Sequence, residues 1–145
     1  LLTAAEVGDA LGMPARQTKE TDVEVSSGPY KGERMGGCMW GVGDDGMASL
    51  NMIRAGKSGR DAVNAMLDKS AGALKAQGWT EERKEFSNAV CSFATPPSGE
   101  ASLPISTGCI GAANGMAVSI GTMGRKPVPI EKVKPLLDKA LSRVK

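Results

Sequence analysis

Gly37-Cys38-Met39-Trp40-Gly41-Val42-Gly43-Asp44-Asp45-Gly46-Met47-Ala48-Ser49-Leu50 holds the pattern on which the fold turns. Two apolar stretches flank Gly43-Asp44-Asp45-Gly46, and turn residues between two such runs signal a β-hairpin. A second stretch, Gly108-Cys109-Ile110-Gly111-Ala112-Ala113-Asn114-Gly115-Met116-Ala117-Val118-Ser119-Ile120, has the same layout. Its Asn114-Gly115 suits a type I′ turn, which needs two residues at positive φ. Both stretches read Gly-Cys, a few residues, Asp or Asn, then Gly-Met-Ala and alternating apolar positions. Each is followed by a helical pattern. Two readings stand: degenerate helix–hairpin halves of one sheet, or convergence of two hairpins on a small alphabet of turn residues. Either one gives the α+β class.

Outward from the hairpins, three helices are expected. Thr3-Ala4-Ala5-Glu6 forms a capping box, with Leu2 and Val7 placed as the apolar staple. Gly12 and Pro14 stop that helix after Leu11. A second helix spans about residues 59–77, with Val63, Met66, Leu67, Ser70 and Leu74 on its buried face. Gly78 then suits a left-handed cap, and Trp79 falls where a Schellman motif sets a hydrophobe against Leu74. The third helix starts near Lys132, because Pro135 is tolerated only near a first turn. Val133, Leu137, Ala140, Leu141 and Val144 mark its apolar stripe, and Lys139, Arg143 and Lys145 complement its C-terminal dipole.

Strands are expected at 22–26, 38–42, 47–54, 85–94, 107–112 and 116–122. The whole chain, 1–145, therefore reads as a single α+β domain. Its core is a mainly antiparallel sheet of five to six strands packed by two or three helices. Residues 26–37 and 95–103 are the long Pro- and Gly-rich loops.

Composition excludes more than it assigns. There are 145 residues and no histidine, which removes Ser-His-Asp and Cys-His catalysis and any His-ligated zinc or haem. Eighteen Lys and Arg against 16 Asp and Glu leave a net charge of +2, too balanced for a dedicated nucleic-acid binder. Trp40, Trp79, Tyr30, Phe86 and Phe93 are all the aromatics, too few for a base-stacking platform. No apolar run approaches the roughly 20 residues of a membrane-spanning helix. The chain opens at Leu1-Leu2 rather than at Met, as an exported protein does once its leader is removed.

Three cysteines allow one bridge. Cys91 and Cys109 lie on strands joined by one loop, where facing positions bring Cβ atoms within about 4.5–5.5 Å. A Cys91–Cys109 disulfide is the favoured reading, with Cys38 left free. The alternative is three reduced thiols acting as small core hydrophobes. Cys38 also has methionines about it: Met35, Met39, and Met47 and Met52 on the partner strand. Soft thiolate and thioether ligands select Cu(I). Strand alternation, however, sends Cys38 and Met39 to opposite faces, so core filling is the commoner role for such residues.

A helix ending Leu11-Gly12, a long polar segment and then Cys38-Met39-Trp40 resembles small bacterial exported lipoprotein-type domains of unknown function. The resemblance spans the first third of the chain. It implies an antiparallel sheet packed by helices, an envelope location with a possible upstream lipid anchor, and a binding or sensing role. It supplies no catalytic residues.

Other motifs fall short of chemistry. Ala55-Gly56-Lys57-Ser58 sits between strand and helix as a P-loop does, but Asn51 stands where the motif needs its first glycine. The same helix start, with Lys57, Ser58 and Arg60, could instead hold an anion. Asp44-Asp45 is explained by its turn and Glu81-Glu82 by a solvated charge run beside Arg83 and Lys84. The cations Arg125, Lys126, Lys132, Lys134, Lys139, Arg143 and Lys145 could meet an acidic partner protein, anionic lipid head groups or cell-wall polymers, though the wet face of an amphipathic helix is the commoner role of such a run.

The expected function is a non-catalytic periplasmic or secreted binding domain, inhibitor- or immunity-like in manner. It would engage another protein or a small ligand through its loops. Tyr30, Lys31, Arg34, Lys57, Ser58, Arg60, Pro96 and Pro97 are the candidate contacts. The competing expectation is a Cu(I) or anion carrier using Cys38 with Met35, or the Lys57–Arg60 helix start. No nucleic acid, no bound cofactor and no resident metal are expected.

Overall fold

Thr3 and Glu6 close the first helix by reciprocal bonds: the Glu6 amide donates to Thr3 Oγ1 at 3.2 Å and the Thr3 amide to Glu6 Oε2 at 2.9 Å. This helix, α1 (Ala4–Leu11), ends at Gly12, whose φ of 68° is open to glycine at little cost. The computed structural model describes residues 1–27, 30–54, 64, 68, 72–98 and 103–145. Within these lie seven strands: β1 (Ala15–Glu24), β2 (Arg34–Val42), β3 (Gly46–Arg54), β4 (Thr80–Glu85), β5 (Ala89–Thr95), β6 (Ile105–Ala113) and β7 (Met116–Gly124). A final helix, α2, covers Ile130–Ser142.

The class is α+β, as expected, but the sheet has seven strands rather than five or six. They run in the order β1-β2-β3-β7-β6-β5-β4, every neighbouring pair antiparallel. The stretch read as one strand over 85–94 is two, folded back at Phe86–Asn88; the Phe86 amide donates to the Ala89 carbonyl at 2.7 Å. The charge run 80–85 forms an edge strand. At the other edge, β1 begins at Ala15, seven residues before the expected start.

Both hairpins close as the turn residues require. Asn114 and Gly115 have φ of 50° and 77°, the two positive values of a type I′ turn. Around Gly78, at φ 82°, the Trp79 amide reaches the Leu74 carbonyl at 3.0 Å and the Gly78 amide the Lys75 carbonyl at 3.1 Å. These are the two bonds of a Schellman motif. Residues 72–76, Asn64 and Asp68 are helical. The rest of the helix expected over 59–77 lies outside the described residues.

α2 starts at Ile130, so Pro135 falls in its second turn rather than its first. Ile130, Val133, Leu136, Leu137 and Leu141 are buried. At about 1.5–3 kcal/mol each, their burial contributes on the order of 10 kcal/mol. That exceeds the roughly 3 kcal/mol cost of an interior proline, and Pro135 faces solvent.

α1 and α2 cover one face of the sheet. Trp40, Ala48, Leu50, Cys91, Cys109, Val118 and Ile120 build the main core beneath them. A smaller cluster on the opposite face joins Ile53, Ile110 and Ala117, with Val25 and Tyr30 packed on it. Gly111 lets α2 approach: a Cβ there would stand 2.7 Å from the Asn88 carbonyl oxygen and 2.9 Å from Leu141 Cδ1.

One row of residues crosses all seven strands: Glu20, Cys38, Leu50, Ile120, Cys109, Cys91 and Lys84. The Leu50–Ile120 pair has two residues of the row on one side and three on the other. Reflecting strand order about that pair sets Cys38 against Cys109 and Glu20 against Cys91. Cys91 and Cys109 are joined as a disulfide with Cα atoms 4.0 Å apart, and Cys38 is free.

Candidate functional site

An antiparallel sheet divides its connections between two ends. The β1–β2 loop lies at one end. The turn of β2–β3, the loop of β5–β6 and the exit from β7 lie at the other. Strands of nine residues at about 3.3 Å per residue separate the ends by roughly 30 Å. The two loops expected to form one binding surface are therefore apart.

Each expected contact has a definite place. Tyr30 is half-buried on the small cluster of Ile53, Ile110 and Ala117. Arg34 makes a two-pronged ion pair with Asp22, Nε to Oδ1 at 3.0 Å and Nη2 to Oδ2 at 2.7 Å. The guanidinium holds the Asp22 carboxyl below its ordinary range. Lys31 is exposed. Pro96 and Pro97 are half-buried, and Pro97 packs beside Gly78 at the far end. Lys57, Ser58 and Arg60 lie outside the described residues. Cys38 and Met35 lie on opposite faces of β2, because an odd spacing on a strand changes face. The pair does not form a ligand set.

The end holding Pro96 and Pro97 also carries a cleft of about 490 Å³. Three connections build it: the stop of α1 (Leu11, Met13, Pro14), the β2–β3 turn (Val42 to Met47) and the exit from β7 (Thr122 to Gly124, Lys126, Val128). The Gly43 amide ties the first two by donating to the Pro14 carbonyl at 2.9 Å. Gly43 has φ of 60°, and Met13 Sδ lies 3.5 Å from where a Cβ would stand. Lys132 Nζ reaches the Leu11 carbonyl at 3.4 Å, and Thr107 Oγ1 donates to the Val128 carbonyl. α2 thereby anchors the α1 wall, and β6 anchors the exit from β7.

Leu11, Val42 and Val128 give the cleft apolar walls, while Met13, Met47 and Met123 add three thioethers. Met47 and Met123 are direct cross-strand partners, 45% and 47% exposed. Asp44, Asp45 and Lys126 set the polar rim, and Arg125 pairs with Asp45 at 3.6 Å. The volume falls in the roughly 300–1,000 Å³ range of small-ligand sites. A larger groove of about 640 Å³ runs between β4 and the start of α2. It is more open, and its Lys84 and Glu131 already face each other at 3.8 Å. The end cleft is the better-built site.

Sequence reasoning missed this site because its walls come from positions 11–14, 42–47 and 122–128. One signal was present: Met47 immediately follows a hairpin turn, where alternation leaves a long apolar side chain outside the main core.

No family model and no curated protein matches the chain. Its fold has a solved counterpart. The extracellular domain of PknH from Mycobacterium tuberculosis superposes with a TM-score of 0.68 over 99% of this chain and 91% of that one, at 14% identity. That likeness is one of fold. No described helix is long and apolar enough to cross a membrane.

The strongly ionised groups lie away from the cleft, where they tie elements together. Glu6 accepts from Arg143 at 2.6 and 2.9 Å, and Arg143 holds its carboxyl far below the ordinary carboxylate range. This joins α1 to the end of α2. Burial pushes Asp138 up, but bonds from Lys134 and Asn88 outweigh it and leave the carboxyl lowered.

Proposed function

We propose that this protein is an exported, non-catalytic binding domain whose ligand or partner segment seats in the methionine-rimmed cleft. The cleft carries the reading: apolar walls with a few polar groups at the rim suit capture rather than turnover. Its buried hydroxyl, Thr122, is turned toward the Thr107 carbonyl at 3.5 Å. Export is supported by the Cys91–Cys109 bridge, since disulfides persist in oxidising compartments. The fold likeness to an extracellular domain and the resemblance to envelope lipoprotein-type domains point the same way.

Photo-crosslinking tests the site. A crosslinking residue replaces Lys126 at the cleft rim or Lys31 at the opposite end, and each protein is offered to envelope extract of its host. An adduct from position 126 and none from position 31 is the expected result. An adduct only from position 31, or from neither, refutes the cleft. Alkylation of thiols in intact cells tests export: Cys38 alone should react.

A further inference from the structure

β1 closes the sheet on one side, and eight of its ten residues are exposed. Which of its backbone groups face outward follows from alternation. Cys91 and Cys109, with Cα atoms 4.0 Å apart, form an open pair. Pair types alternate along the row through Ile120, Leu50 and Cys38, so Glu20–Cys38 is open as well. The N–H and C=O groups of Glu20, Asp22 and Glu24 therefore point away from β2, toward the place of an added strand.

The ladder breaks near the start of β1. Its register shifts between Gln17 and Lys19, and the extra residue, Thr18, donates its hydroxyl to the Met39 carbonyl at 3.3 Å. A bulge of this kind bends the edge and ends regular pairing. A pocket of about 440 Å³ opens there, lined by Pro14, Arg16, Thr18, Gly41 and Gly43 among others. Arg16 is exposed and makes no ion pair or hydrogen bond among the described residues.

Charge is divided along this edge. Arg16 and Lys19 stand at the bulge end, with Glu20, Asp22 and Glu24 beyond it, and Asp22 is held by Arg34. Charges and a bulge guard an edge against chance pairing, and the same features select a complementary strand. A second copy paired about Asp22 would set Asp22 against Asp22 and Glu20 against Glu24, acid against acid. An antiparallel peptide matches the edge when it is basic opposite Glu20 and Glu24 and ends at the bulge. Its terminal carboxylate then lies beside Arg16, whose guanidinium suits a two-pronged bond to a carboxylate.

We propose that β1 is a docking edge for the basic C-terminus of an extended partner peptide, added as an eighth strand with its last residue at the Arg16 pocket. This goes beyond the end cleft, with which the pocket shares Pro14 and Gly43.

The probe is the peptide Lys-Val-Thr-Val-Lys-Val-Val, labelled with fluorescein at its N-terminus and read by anisotropy against the full chain. Antiparallel pairing sets its lysines opposite Glu24 and Glu20 and its last valine at Thr18. Amidating the C-terminus should weaken binding about tenfold, by loss of one hydrogen-bonded charge pair. Arg16→Gln, at an exposed site, should weaken the free acid by a similar factor and leave the amide unchanged. Amide hydrogen exchange should slow at Glu20, Asp22 and Glu24 when the free acid binds. Absence of binding, equal affinity of acid and amide, or slowed exchange on β4 instead of β1 overturns the proposal. The crosslink from position 126 tests the cleft separately, and its failure leaves the peptide result untouched.

Discussion

Glu20→Cys should create a second disulfide. Glu20 is the Cα partner of Cys38, as Cys91 is of Cys109, and each pair is separated by 18 residues. Pair type follows from alternation. In an antiparallel sheet a residue's N–H and C=O point to the same neighbour, so hydrogen-bonded and open pairs alternate along a row. The Cys91–Cys109 pair, with Cα atoms 4.0 Å apart, is of the close, open type. Stepping through Ile120, Leu50 and Cys38 makes Glu20–Cys38 the same type. Only a surface bond to Gln17 is lost, 3.0 Å long. Closing a loop of this length restrains the unfolded chain by about 3 kcal/mol, or roughly a 10 °C rise in Tm for a chain of this size. Native-state strain subtracts from that figure. The assay is intact mass after thiol blocking, with thermal unfolding of the variant, its Glu20→Ser control and the parent without reductant. Two free thiols in folded, air-oxidised variant would refute the register and the equivalence of the two halves. A bridge that forms with no gain over Glu20→Ser would refute the entropic argument alone.

Further outcomes follow from the core. Gly111→Ala drives a Cβ against the Asn88 carbonyl oxygen at 2.7 Å; overpacking should cost about 1–3 kcal/mol in urea unfolding, and an unchanged midpoint would contradict the close approach of α2. Thr107→Val removes a buried donor to the Val128 carbonyl and should cost about 1–3 kcal/mol by leaving that oxygen unpaired, read from the same transition. Reducing Cys91–Cys109 should lower stability by about 2–5 kcal/mol, seen as a drop in Tm with reductant. Glu6 has its folded pKa depressed by Arg143 from an ordinary value of 4.5. Its contribution is complete above that value and is lost as pH falls below it. The Tm of the parent should therefore fall more steeply below pH 4.5 than that of Glu6→Gln, which keeps the capping box; parallel curves would exclude the Glu6–Arg143 pair as the cause.

Local chemistry made much of this fold legible. Asn114-Gly115 requires its turn, Thr3 with Glu6 its cap, and Gly78 with Trp79 its helix stop, because each acts over a few residues. The facing cysteines followed from one loop joining two strands. Edges were harder to read. Ala15–Glu24 is exposed along nearly its whole length and Thr80–Glu85 is almost wholly polar. Neither has the apolar alternation that marks a strand with one buried face. Pro135 misplaced the start of α2 because the burial that outweighs it is tertiary. The cleft was illegible for a topological reason: Met47 and Met123 become neighbours only after β3 and β7 pair, and the stop of α1 joins them only when β1 and β2 are in place.

That pairing also governs how the molecule is put together in time. β2–β3 and β6–β7 are local hairpins, whereas Leu50 meets Ile120 across 70 positions of chain. Non-local pairing is the slow step of such topologies. The disulfide closes a loop within the second half and leaves the β3–β7 seam without a covalent guard. At high concentration during refolding, the seam is accordingly where the first half of one molecule could dock on the second half of another. An exchanged dimer of this kind would contain two complete sheets, each assembled from two chains.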